Sequence, residues 1–385
     1  MKNEKPKSWG NVPYKTWKYQ KQTEMKHRVF GYYLPLWLRI LGKSHKNLNY
    51  VDGFGGLGAY HTDEDMKNEK CLSRNFGSPI ISMLSISDLQ RSEKIGKANI
   101  LVIDRDARNI DNMKGLIDFL KINIKNGVIN FKQGNFDKEI NGFLNRLDVK
   151  NLKLSPTFFL IDPFGIADIK METIKRIMNR DKTEILLNFM YNCLQRFIDH
   201  PDEKINKIYD EYFGGGVWGA CKGKKLKEKE GELVNIFRNN CKKFCKFVYP
   251  FRLKFPYKNQ TYYYLFHLSQ HYKGCSLMKD SFAKFNNGRD EYAGEKYKSQ
   301  SGLFDSLIEK EKRENFIGKL IKKYKGEAVR YVNIIEDFID ETDLLEREIK
   351  KLLQKLESEN KIEVQAGNNR NRRSGFDEGD SVYFV

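Results

Sequence analysis

The sequence predicts an α/β chain: a Rossmann-like parallel sheet closed by an antiparallel hairpin, followed by a small winged-helix domain. Three observations predict it. Apolar strand-like runs alternate with amphipathic helical stretches between residues 47 and 190, the pattern of a parallel sheet covered by helices on both faces. Two aromatic, β-branched runs, Cys245–Phe255 and Thr261–Ser269, are joined by Pro256-Tyr257-Lys258-Asn259-Gln260 and read as a terminal hairpin. From about Asn315, short amphipathic helices lead into two strands that flank an arginine-bearing loop.

Taken in order, residues 1–24 are basic and aperiodic, with Pro6 and Pro13, and are expected to form a loose arm. Residues 25–285 form the large domain. Val29, Tyr32, Tyr33, Leu36, Trp37, Ile40 and Leu41 recur at helical spacing and lead into a first strand at 47–52. The polar stretch 60–77 is expected as a loop. Helix 79–90, strand 99–104, helix 107–124, strand 128–132, helix 137–147, strand 157–162, helix 168–180 and strand 183–190 then alternate. A helical insertion at about 201–243 is broken by Gly214-Gly215-Gly216 and the charged run Lys222–Lys229. Five parallel strands closed by a hairpin is the topology of class I methyltransferases; an NAD-binding domain would more often continue in parallel.

Residues 286–314 read as a linker and 315–385 as the winged-helix domain. Its helices are expected at 317–324 and 331–339, with Thr342 capping a third whose apolar face is Leu344, Leu345, Ile349, Leu352, Leu353 and Leu356. Strands Lys361–Val364 and Ser381–Val385 flank a wing carrying Arg370, Arg372 and Arg373. In this fold the third helix and the wing commonly contact nucleic acid. The outward face of the third helix carries Glu346, Arg347, Lys350 and Glu357, a mixed charge that suits protein docking equally well.

Composition narrows the partners. Lys and Arg number 69 against 51 Asp and Glu, a formal net charge of +18 that favours polyanions through counterion release. Arg370, Arg372 and Arg373 of the wing, with Lys224 and Lys225 of the insertion, are the candidate contacts. The six cysteines show no paired spacing and read as reduced thiols of a cytoplasmic protein. No apolar run approaches the ~18 residues of a membrane span, and Met1–Trp9 has no apolar signal core.

Chemistry concentrates at strand ends. The turn after the first strand fits two templates. Gly53-x-Gly55-x-x-Gly58 matches a dinucleotide turn, but the acid expected about 20 residues on would fall at Gly77-Ser78-Pro79, where there is none. Asp52-x-Phe54-x-Gly56-x-Gly58 instead puts an acid at the strand end, facing the cationic methionyl group of S-adenosylmethionine, with glycines admitting close backbone approach. Asp104 ends the second strand, where it can bond both ribose hydroxyls, and Asn135 or Asp137 follows the third, within reach of an adenine amine. Asp162-Pro163-Phe164-Gly165 follows the fourth strand and resembles the Asp-Pro-Pro-Tyr type loop of amino-methyltransferases, without its second proline. A carboxylate there can accept from an exocyclic amine while Phe164 stacks on the base; the alternative is a strand-ending turn shaped by Pro163. Asn188 and Arg196 are expected to face the same cleft, and His271 to contact substrate or exchange protons. His267, His271, Cys275, Cys241 and Cys245 recur at spacings of four but lie on different elements, so no metal site is expected. Asp52, Asp104 and Asp162 end separate strands, which argues against a two-metal nuclease.

The motif order resembles the three-Cys-motif partner protein family over about residues 20–285. It is carried by the leading helix Met25–Leu41, Tyr50-Val51-Asp52-Gly53-Phe54-Gly55-Gly56-Leu57-Gly58, Gly77-Ser78-Pro79, Asp104, Asp162-Pro163-Phe164-Gly165, Leu187-Asn188-Phe189-Met190 with Arg196, Tyr249-Pro250-Phe251 and His271-x-x-Gly274-x-x-x-Met278-Lys279. The resemblance implies a class I S-adenosylmethionine-dependent methyltransferase of bacteria and mobile elements, encoded beside a three-cysteine-motif phage-type protein that is its expected partner. Methyl transfer to nucleic acid, with a base amine as target, is the expected function. A non-catalytic or protein-modifying partner subunit is the alternative.

Overall fold

The computed structural model describes residues 5–255, 260–286, 291–292, 303–367 and 375–385; side chains are described except at 286, 291–292 and 303–309. The strands in chain order are β1 (Trp17–Lys18), β2 (Asn47–Asp52), β3 (Ala59–His61), β4 (Asn75–Phe76), β5 (Lys97–Asp104), β6 (Ile129–Gln133), β7 (Thr157–Ile161), β8 (Thr183–Phe189), β9 (Phe247–Lys254), β10 (Thr261–Ser269), β11 (Glu291–Tyr292), β12 (Ala328–Arg330), β13 (Ile362–Gln365) and β14 (Ser381–Phe384). The α-helices are α1 (Lys21–Gly42), α2 (Asp63–Lys67), α3 (Ser78–Arg91), α4 (Ala107–Leu120), α5 (Phe136–Val149), α6 (Met171–Met178), α7 (Tyr191–Phe197), α8 (Glu203–Phe213), α9 (Leu226–Lys242), α10 (Tyr272–Asn286), α11 (Leu303–Tyr324), α12 (Tyr331–Phe338) and α13 (Glu346–Ser358).

The main sheet runs β11-β9-β10-β8-β7-β2-β5-β6. Strands β6, β5, β2, β7 and β8 are parallel, and β10 enters antiparallel between β8 and β9. This is the class I methyltransferase sheet closed by its hairpin. Period-two alternation divides the core into two layers. Tyr50, Val102, Phe158, Leu160 and Leu186 face one layer with α1 and α3, whereas Val51, Ile103, Phe159, Ile161 and Leu187 face the other with α5, α6 and α9. Every residue of β7 and β8 is buried, as central strands covered on both sides must be.

Three segments depart from the sequence reading. Residues 5–20 are not a loose arm: Trp9, Tyr14 and Thr16 are buried, and β1 pairs in parallel with β3. The aromatic residues supply the apolar area that anchors it. The stretch 60–77, expected as a loop, holds α2 and pairs β4 with β3. Residues 303–314, expected as linker, are the first half of α11.

At the C-terminus, α11, α12 and α13 pack on a sheet of order β12-β14-β13, a winged helix. Thr342 does not cap α13. That helix begins at Glu346, and the Leu345 N–H is satisfied by Glu348 at 2.9 Å. The module is fastened to the large domain by two buried charges. Lys279 of α10 donates to the carbonyls of Ile339, Thr342 and Leu344 at 2.8, 2.6 and 2.6 Å. Desolvation pulls its ammonium down to about 8. Asp340 accepts from the Val248 N–H at 2.8 Å and pairs with Lys242 at 2.6 Å, while Arg238 donates to the Val248 carbonyl at 2.9 Å. Both backbone groups of Val248, on strand β9, are thus covered by side chains.

Replacing Lys279 with Met keeps the apolar stem and strands three buried carbonyls. A loss of about 3 kcal/mol or more is expected, read as a lower urea midpoint with the winged helix unfolding first. An unchanged midpoint would show that the fastening is not needed.

Candidate functional site at the carboxyl edge of the sheet

In an open parallel sheet the chain reverses direction beside β2, and the carboxyl ends of β2, β5, β7 and β8 meet at that crevice. Asp162, one residue past β7, is the centre of a polar trio there. Its Oδ2 is ion-paired with Lys26 Nζ, and its Oδ1 accepts from Asn188 Nδ2 at 2.7 Å. Lys26 is 4% exposed, so its charge is held in the protein by this pair. Asn188 turns its amide toward Asp162, which leaves Asn188 Oδ1 buried and without a hydrogen-bond partner. Pro163 and Phe164 follow, and Phe164 stands out of the surface at 65% exposure.

Phe164 and Arg196 line an open cleft of about 1720 Å³. Its walls also carry the aromatic residues Trp17, Tyr19, Phe255 and Tyr262, the basic residues Lys5, Lys15, Lys18, Lys21 and Arg108, and the acids Asp63, Asp106 and Asp111. Trp17 meets Phe164 edge-on with ring centroids 6.1 Å apart. Beneath the cleft, Tyr19 stacks on His27, whose imidazole is held well below its ordinary range by burial and by Lys26.

Phe164 and Arg196 thus line one cleft, whereas Asp162 and Asn188 are bonded to each other, and Asp162 to Lys26, and are not among its lining residues. Other sequence candidates have different surroundings. Asp52 does not open to the cleft: it is fully buried, accepts from the Tyr50 hydroxyl at 2.7 Å and from the Phe54 N–H at 3.2 Å, and desolvation raises its carboxyl to about 6. Asp104 uses both oxygens on its own chain, accepting from the N–H groups of Gly56 and Asp106, both at 2.8 Å, and from Asn109 at 3.1 Å. Asn135 caps α5 through the Lys138 N–H at 3.1 Å, and Asp137 accepts from Thr173.

The glycines of the turn make room chiefly for protein. A Cβ on Gly53 would lie 2.7 Å from the Phe136 ring, one on Gly55 2.5 Å from Val102, and one on Gly56, at φ +62°, 2.8 Å from Trp17. Gly58, at φ +79°, is needed for the left-handed turn itself. Phe54 packs on Phe136 at 5.5 Å.

His271 lies elsewhere. Because β10 is antiparallel, its last residue Ser269 pairs with Glu184 at the start of β8, so His271 sits at the opposite edge of the sheet, exposed and stacked on Tyr272. Lys224 binds both oxygens of Glu232 at 2.6 Å and Lys225 precedes α9; neither lines the cleft. Arg370, Arg372 and Arg373 lie outside the described residues. Of the four-spaced residues, His267 is buried against Glu184 at 3.0 Å, and among the described residues no group of three His, Cys, Asp or Glu is arranged to hold a metal ion.

Two participants escaped the sequence reading. Lys26 shares the buried stripe of α1 with Phe30, Tyr33 and Trp37, so a cation at a core position was the available signal. Trp17 belongs to a segment dense in aromatic residues, Trp9, Tyr14, Trp17 and Tyr19, which marks packing rather than a free arm.

A family described as a GMT-like wHTH domain matches residues 291–367. Among solved structures, a Legionella pneumophila protein of family DUF519 aligns over 68% of this chain and 91% of its own, at 12% identity and a TM-score of 0.41. A DUF574 family protein from Streptomyces avermitilis aligns over 63% of this chain and 83% of its own, at 8% identity and a TM-score of 0.31. No curated protein matches. Among the described residues no helix is long and apolar enough to cross a membrane.

Asp52 gives this region a pH signature. Its carboxyl is raised from 3.8 to about 6 on folding, so the folded state binds the proton more tightly. The stability this contributes is complete below about pH 4 and is lost as pH rises through 6. Asp52→Asn removes the ionisation, so the variant should gain on the wild type by on the order of 3 kcal/mol between pH 4 and pH 7.5. Urea unfolding at both pH values checks this; a pH-independent difference would place the titration elsewhere.

Proposed function

We propose that the protein is an S-adenosylmethionine-dependent methyltransferase that acts on nucleic acid, with an exocyclic base amine as the acceptor. The observation that carries this reading is the Lys26–Asp162–Asn188 trio, set at the carboxyl ends of β7 and β8 in a methyltransferase-order sheet, two residues before the exposed Phe164. The winged helix and the formal net charge of +18 favour a nucleic-acid partner.

The cleft suits a nucleoside-bearing cofactor in size and lining. It reaches the glycine turn at Leu57 and the first turns of α4 at Asn109 and Asn112. When bound, S-adenosylmethionine supplies an electrophilic methyl group to a nucleophile placed in line with it. The chain's own part is alignment. Asp162 would accept an N–H of the amine and so orient its nitrogen toward a methyl group whose sulfonium sulfur leaves as the thioether, the proton passing to solvent. Lys26 and Asn188 hold that carboxylate in place. Phe164 and Trp17 cover a flat ring, and Arg196 stands at the rim for a phosphate. The resemblance to the three-Cys-motif partner family supports methyl transfer and does not supply the acceptor.

One observation favours a second reading, a non-catalytic subunit that retains the fold to bind a partner protein. The glycine turn and Asp104 are occupied by contacts from the chain itself.

Calorimetry and a transfer assay separate the two. On the first reading S-adenosylmethionine or its demethylated product binds at micromolar concentration, and Asp162→Ala abolishes transfer to RNA or DNA while leaving cofactor affinity within about twofold. Binding of neither compound, with no transfer, supports the subunit reading. NAD binding in their place would move the assignment to an oxidoreductase.

A further inference from the structure

We infer that the nucleic acid reaches the cleft as an unpaired strand, and that the winged helix does not read a duplex groove. The inference rests on the nucleic-acid reading of the site proposed above and names the form of its substrate.

The first observation concerns what the winged helix touches. In helix-turn-helix proteins the N-terminal residues of the recognition helix contact base edges in the major groove. Here the first turn of α13 is engaged by the large domain. Glu346 accepts from the Ser276 hydroxyl at 2.7 Å and Arg347 pairs with Asp280 at 2.7 Å, both partners lying on α10. The approach to β14 is held by the same helix, since Tyr272 donates to Glu378 at 2.7 Å. Behind these contacts lie the buried charges of Lys279 and Asp340. A duplex at the start of α13 would have to compete with these contacts to α10.

The second observation concerns the cleft. Phe164 stands out of the surface two residues after Asp162, so a base that stacks on it and presents its amine to that carboxylate must first leave its pair. The five aromatic residues Trp17, Tyr19, Phe164, Phe255 and Tyr262 share the walls with six Lys and Arg against three Asp. Stacking surfaces set among excess positive charge are the means by which single strands are held without reading a groove. Phe164, 65% exposed and carried on the loop that bears Asp162, is the residue placed to stack on the base being presented.

The test uses the full chain and fluorescence anisotropy at one salt concentration. Three probes are compared: a single-stranded DNA of about 20 nucleotides, the RNA of the same sequence, and the DNA duplex. At least one single strand should bind roughly tenfold tighter than the duplex, and which strand does so identifies DNA or RNA as the source. Phe164→Ala should weaken that strand by about tenfold. Lys351→Ala, on the exposed side of α13, should leave all three affinities within twofold. Duplex binding as tight as the single strands, or lost with Lys351→Ala, overturns the inference, as does failure to bind any probe. A chain that prefers a single strand but transfers no methyl group to it upholds this inference and overturns the methyl-transfer reading.

Discussion

A buried ammonium must have a carboxylate beside it, and this requirement organises the working edge of the molecule. Lys26 is carried into the interior on the apolar stripe of α1, where an unpaired charge would be prohibitive. It meets Asp162 at the end of β7, and Asn188 at the end of β8 completes the contact. Three segments far apart in sequence are thereby set in register at a single point. The loop that carries Phe164 into the cleft inherits its position from that point, and so does the start of α1, which brings Tyr19 and Trp17 over the same opening.

The acids at the strand ends illustrate how one residue type serves different ends. Asp104 is saturated by backbone N–H groups and shapes the loop it closes. Asp52 is buried, hydrogen-bonded and titrates near 6. Only Asp162 of the three is partly open while its charge is balanced from within. Position along the sheet edge does not decide these roles; the partners do.

This is also why part of the molecule was legible in the sequence and part was not. Strand order and the antiparallel hairpin follow from alternation of apolar runs, which depends on local pattern, and the main strands begin and end close to where that pattern puts them. The winged helix is legible for the same reason. Partner choice is not local. Nothing in the turn at 52–58 announces that Phe136, Val102 and Trp17 will fill the space its glycines leave. The antiparallel direction of β10 implied that His271 leaves the sheet at the far edge, yet its place in a turn was read as that of a residue contacting substrate or exchanging protons. Lys26 could have been found, since a cation on a core stripe asks for a partner. Its identity as Asp162 required the fold.

The covering of Val248 by Arg238 and Asp340 has an evolutionary consequence. Mobile modules such as winged helices are usually regarded as exchangeable parts. In this chain the module supplies the acceptor for the Val248 N–H, so a truncated ancestor or an engineered fragment would leave that group on β9 unsatisfied. Recombination that swapped the tail would have to preserve Asp340 together with Arg238 and Lys242. The two parts are therefore expected to be inherited as one unit, with those three positions changing together or not at all.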